Sequence, residues 1–142
     1  MIAYMDLNEQ VDSDFTRARR RALLRRVLAR LSRKPASNRL LCFDDLRSAL
    51  LANNRSYLGR RILESEKIVG SVERRRDFDG SFLPARASVG EKWKRIDRAF
   101  QWSEDLPPVE LYKVGDAYYF VLDGHHRVSV ARYHGMSMWK LT

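Results

Sequence analysis

The stretch Leu122-Asp123-Gly124-His125-His126-Arg127-Val128-Ser129-Val130-Ala131-Arg132 decides how this chain is read. It joins the end of a strand to the start of a helix through a glycine and fills the junction with charge. Backbone N–H groups at a helix start have no intrahelical acceptor, and the helix dipole adds positive potential there, so an anion is stabilised at such a point. Upstream, Val109 to Val114 is β-rich, Gly115-Asp116 suits a two-residue turn, and Ala117 to Leu122 is too apolar for an exposed edge. These two runs predict a hairpin. Downstream, Val128 and Ala131 share a helix face and Gly135 stands where a left-handed cap would end the helix. Met136 to Leu141 reads as a further strand.

Three kinds of chemistry suit the turn. In the first, Gly124 lets the backbone approach a phosphate, Arg127 forks onto its oxygens, and His125 and His126 add donors. In the second, His126 relays a proton, Asp123 orients it or holds Mg²⁺ beside a phosphate, and Glu73 enters the same cleft as a base. The third is structural: Asp123 caps the helix and Arg127 pairs with an acid such as Glu110. Ser129, one turn after His125, invites a Ser-His nucleophile, although a helical serine more often serves packing. A transition-metal site is not expected, because His125 and His126 diverge by about 100° on a helix and His134 lies about 12 Å further along the axis.

Net charge is +9, and nine cations fall in residues 17–34 with no acid among them, so one element carries the whole excess. Leu24, Val27, Leu28 and Leu31 recur at three and four residues within this run, predicting a helix capped at Asp12 or Ser13 with Asp14 in its first turn. Arg17, Arg20, Arg21, Arg25 and Arg26 are the candidate contacts to nucleic-acid phosphates. The alternatives are a leucine face docked on the domain or on a second copy, and a membrane-surface helix, for which the stripe is narrow and lacks Trp.

Elsewhere, Lys34 to Asn38 reads as a linker and Phe43 to Leu51 as a short helix. Residues 53–66 show no period. Lys67 to Val72 reads as a strand and Asp79-Gly80 as a turn. Ser88-Val89-Gly90-Glu91 matches a capping box, and the helix after it buries Trp93, Ile96 and Phe100 on one face.

Residues 106–116, followed by the Asp-Gly-His-His-Arg turn, resemble the ParB-like domain of the ParB and sulfiredoxin superfamily. Ile68 to Val72 with Arg74, Arg76, Asp77, Phe78, Phe82, Leu83 and Pro84 resembles the segment that precedes it in small bacterial members. The resemblance implies an α+β fold, a small mixed sheet with packed helices, preceded here by a basic helical arm. It divides the chain into an arm at 1–52, a connector at 53–66 and a ParB-like domain at 67–142. It also implies a nucleotide or other phosphate ligand at Gly124, His125, His126 and Arg127, with a nucleoside triphosphate and Mg²⁺ as cofactor or none.

Combined with the arginine helix, the expected role is a binding module associated with nucleic acid, DNA favoured, as a monomer or homodimer. The alternative is an ATP-dependent phosphotransferase or nuclease using Asp123, His126 and Glu73, since the superfamily includes both. A chain of 142 residues holds one modest core. The single Cys42 allows no intrachain disulfide, and no apolar run approaches the roughly 18 residues of a membrane span, so a cytoplasmic location without a membrane partner is expected.

Overall fold

The computed structural model describes residues 6–32, 40–42, 59–71, 76–102, 106–114, 118–136 and 138–141. Among the described residues, three α-helices, α1 (Leu7–Leu31), α2 (Gly90–Gln101) and α3 (His125–Tyr133), pack with six strands. The strands are β1 (Leu41–Cys42), β2 (Arg61–Glu64), β3 (Ile68–Ser71), β4 (Glu110–Val114), β5 (Tyr118–Asp123) and β6 (Met138–Leu141). The main sheet runs β1-β3-β5-β4, parallel from β1 to β5 and antiparallel between β5 and β4. β2 and β6 form a separate antiparallel pair. The chain is therefore α+β with a small mixed sheet.

The two predicted strands pair, with Tyr112 opposite Phe120 and Leu111 opposite Val121, but Val114 faces Tyr118, so three residues rather than the two of a Gly115-Asp116 turn separate them, and that connection lies outside the described residues. β5 lies inside the sheet because both Phe120 and Val121 are apolar and fully buried. Trp93, Phe78, Phe82, Ile68, Val109, Val128 and Val130 close the core around that strand. Trp93 is buried as its helical spacing indicates, with Ile96 and Phe100 packed against the same core.

α1 starts earlier than its sequence predicts, and of the alternatives for its leucine stripe it does not take docking on the domain. It begins at Leu7, with Asp6 rather than Asp12 or Ser13 at the cap position, so Asp14 falls in the helix interior and is buried. The docking face is Val11, Asp14, Phe15, Ala18 and Ala22, on one side at about 100° per residue. Two alanines there let the helix approach closely, and Phe15 and Ala18 belong to the same core as Trp93 and Val121. The leucine stripe does not dock: Leu24, Val27, Leu28 and Leu31 are all exposed.

The Ser88-Glu91 capping box does not form. Residues Ala87–Val89 make a 3-10 turn, Val89 occupies the cap position, and no side chain caps the helix. Packing sets this start, since a Cβ on Gly90 would lie 3.1 Å from the Phe15 ring. β2 lies within the segment expected to be a connector, and the helix expected over Phe43 to Leu51 and the linker before it lie outside the described residues.

Candidate functional site

Gly124 has φ 102°, a left-handed conformation, between the end of β5 and the first residue of α3. A Cβ there would sit 2.6 Å from Val109 Cγ1, so the turn requires glycine for both backbone and space. Its carbonyl accepts from the Val128 amide at 3.0 Å, closing the first turn of α3. Gly135, at φ 73°, follows the helix as predicted.

The turn gathers Asp123, Gly124, His125, His126 and Arg127, and the structure disposes their side chains differently from the phosphate reading. Arg127 Nη1 donates to the carbonyls of Pro107 and Pro108 at 2.6 and 3.0 Å, and Nη2 donates to Asp123 Oδ2 at 3.0 Å. The fork expected on a phosphate thus grips the segment leading into β4. Its acid is Asp123, not Glu110, although those two acids are directly opposite in the sheet register.

Both histidines point inward, His125 6% and His126 5% exposed. His125 Nε2 lies 2.5 Å from Ser71 Oγ, and its ring stacks on Phe78, while His126 meets Phe78 edge-on. The first residues of α3 face the core because β3 and the aromatic turn at Phe78 cover them.

The catalytic constellation is likewise not assembled as expected. Asp123 is 67% exposed at its side chain and tied to Arg127, whereas His126 is buried beneath Phe78. Glu73 lies outside the described residues. Ser129 Oγ accepts from Trp93 Nε1, so the serine close to His125 is Ser71, from another element, and it is fully buried.

The arginines of α1 divide into two sets. Arg19 donates to the Pro84 carbonyl at 3.2 Å, Arg21 lies over the Tyr133 ring, and Arg25 Nε pairs with Asp79 Oδ2 at 3.2 Å. Asp79 in turn accepts from the Ser81 and Leu83 amides, bracing the turn in which Phe82 adopts φ 59°. Arg17 is exposed and lies close to Tyr133. Arg20, Arg26 and Arg30 are exposed and have no ion-pair or hydrogen-bond partner among the described residues. Of the five arginines expected to touch nucleic acid, Arg20 and Arg26 are free to do so while Arg21 and Arg25 hold the helix to the domain.

One cluster has no precursor in the sequence reading. Asp14 of α1, Asp97 of α2 and His134 at the end of α3 converge, with one ligand-type atom from each within 4.8 Å of the others. His134 Nε2 is 2.6 Å from Asp97 Oδ1 and 3.8 Å from Asp14 Oδ2, and the imidazole stacks on Phe100 at 4.6 Å. Gln10 and Gln101 donate to the two oxygens of Asp14. Asp97 is fully buried and its Oδ2 has no hydrogen-bond partner. Burial pushes the Asp97 carboxyl up to about 6, with neighbouring Asp14 adding to the rise and His134 opposing it. The cluster escapes sequence reading because its members are 83 and 37 residues apart, and no local spacing signals it.

No helix among the described residues is long and apolar enough to cross a membrane. Compared with known proteins, the chain matches no family model, no curated protein and no solved structure.

Proposed function

We propose that this protein is a ParB-like binding module that associates with nucleic acid, DNA favoured, through the exposed arginines of α1. The observation that carries this reading is the set Arg20, Arg26 and Arg30, exposed cations without partners among the described residues, spread over about 15 Å of helix. Arginines needed for docking are already satisfied by Pro84, Tyr133 and Asp79, so these three are surplus to the fold. Surplus cations of one sign along one helix suit phosphates, and each phosphate neutralised makes binding more salt-sensitive. Duplex DNA binding should follow log salt with a slope of roughly −2 to −3 for three such contacts. Changing Arg20, Arg26 and Arg30 to Glu should abolish binding while the melting temperature holds. No binding by the wild type at low salt would overturn the reading.

The Gly124 turn enters as scaffold. A nucleotide phosphate there would have to draw Arg127 from Pro107 and Pro108. A thermal shift with ATP or CTP and Mg²⁺, lost in Arg127→Ala, would restore the nucleotide-binding role, and with it the phosphotransferase or nuclease alternative.

A second reading rests on Leu23, Leu24, Val27, Leu28 and Leu31, exposed among the same arginines. Such a stripe suits a second copy or another protein. Sedimentation over a range of concentrations, for wild type and a Leu24→Ser, Leu28→Ser variant, distinguishes a homodimer from a monomer.

A further inference from the structure

The geometry points to a divalent transition-metal site, best suited to Zn²⁺, formed by Asp14, Asp97 and His134 where the three helices meet. Two aspartates and an imidazole are a donor set that Zn²⁺ accepts, with a fourth position left for water. Ligands about 2.0 Å from a tetrahedral Zn²⁺ stand roughly 3.3 Å from one another. The His134 Nε2 contacts to Asp97 and Asp14, at 2.6 and 3.8 Å, bracket that value, and the three donor atoms all lie within 4.8 Å of one another.

The sign of a missing ligand is Asp97 Oδ2, fully buried and meeting no N–H or O–H donor among the described residues, with a second carboxylate, Asp14, beside Asp97, so that either a proton shared with Asp14 or a cation is needed there. An unmade interaction of that kind is costly, and a cation would complete it. Charge argues the same way. Asp14 and Asp97 are 2% and 0% exposed, and a divalent ion bound by both carboxylates would cancel two buried charges. Gln101, which donates to Asp14, is the last residue of α2 and His134 is the C-cap of α3, so the negative ends of two helices lie beside the cluster. Gln10 and Gln101 would orient Asp14 from behind, and the His134 side chain, 20% exposed, gives a route from solvent.

The test is equilibrium dialysis of the full chain, stripped with chelator, against buffered Zn²⁺, together with the absorption spectrum of the Co²⁺-loaded protein. One equivalent of Zn²⁺, a raised melting temperature and strong visible Co²⁺ bands are expected. Asp97→Asn and His134→Gln should each weaken binding on the order of a hundredfold, and Gln101→Ala about tenfold. Absence of bound Zn²⁺ in the wild type would overturn the site, as would unchanged binding in folded Asp97→Asn and His134→Gln. If those variants do not fold, the wild-type Co²⁺ spectrum decides, because a six-coordinate spectrum would also refute it.

Discussion

Trp93 Nε1 donates to Ser129 Oγ at 2.9 Å, a bond between α2 and α3 in which both residues are fully buried. An indole N–H can only donate, so its burial depends on this hydroxyl. Ser129→Ala should therefore cost about 2 kcal/mol, the order of penalty for an unsatisfied buried donor. In a Trp93→Phe background the same change should cost less than about 0.5 kcal/mol. Denaturant unfolding of the four proteins measures the coupling, and equal losses in both backgrounds would mean the bond does not matter.

Two of the left-handed glycines, Gly124 and Gly135, should respond unequally to alanine. Gly135, at φ 73°, has nothing within 4 Å of the point where an alanine methyl would project, so Gly135→Ala should cost about 1 kcal/mol from the backbone alone. At Gly124 the same backbone cost is joined by a collision with Val109, and about 3 kcal/mol or more is expected. Comparable melting temperatures for the two variants would contradict the close approach of β5 and Val109.

What the sequence revealed depended on how local the cause was. The pairing of β4 with β5, Gly124, the start of α3 and Gly135 are set by neighbouring residues, and the structure places each where its pattern indicates, whereas the register puts three residues between those strands instead of two. The docking face of α1 was hidden because Ala18 and Ala22 carry little hydrophobic signal, although their small size permits the contact. The more conspicuous stripe, Leu24 to Leu31, faces outward. Residue types at the turn were legible, but not their directions: Arg127 meets the two proline carbonyls, and His125 meets Ser71, across long sequence separations.

Arg127 behaves in this structure as a strut, and its removal should show first in stability. Its guanidinium is largely buried and bonds two carbonyls as well as Asp123. Arg127→Ala should cost about 2 kcal/mol, and Arg127→Lys should restore little of it because an ammonium lacks the planar fork. Asp123→Ala removes an exposed partner and should cost no more than about 1 kcal/mol. Equal losses for Arg127→Ala and Asp123→Ala, measured by urea unfolding, would show that the ion pair carries the interaction instead of the proline carbonyls.

Burial raises the Asp79 carboxyl above its ordinary value, although the Leu83 and Ser81 amides and Arg25 all pull it down. The folded protein therefore holds this proton more tightly than the unfolded chain does. That contribution to stability is fully present below the ordinary carboxylate range and is lost as pH rises through the raised value. Asp79→Asn keeps an acceptor for the two amides and does not titrate. The melting temperature of the wild type relative to this variant should fall as pH rises from about 3 to 7. A relative gain with rising pH would mean that the Arg25 pair outweighs burial.

The two faces of α1 should answer mutation in opposite ways. Ala18 is fully buried against the core, so Ala18→Leu inserts atoms where the helix has no room, at a cost of about 1–3 kcal/mol. Leu24 and Leu28 are 58% and 55% exposed, and changing both to Ser should alter the monomer's stability by no more than about 0.5 kcal/mol each. Both variants can be compared by thermal unfolding at low protein concentration, where a self-associated form would contribute least. A large loss on changing the leucines, with little effect of Ala18→Leu, would reverse the orientation of the helix. The arginines interleaved with those leucines would then face the domain, and the nucleic-acid reading would lose its surface.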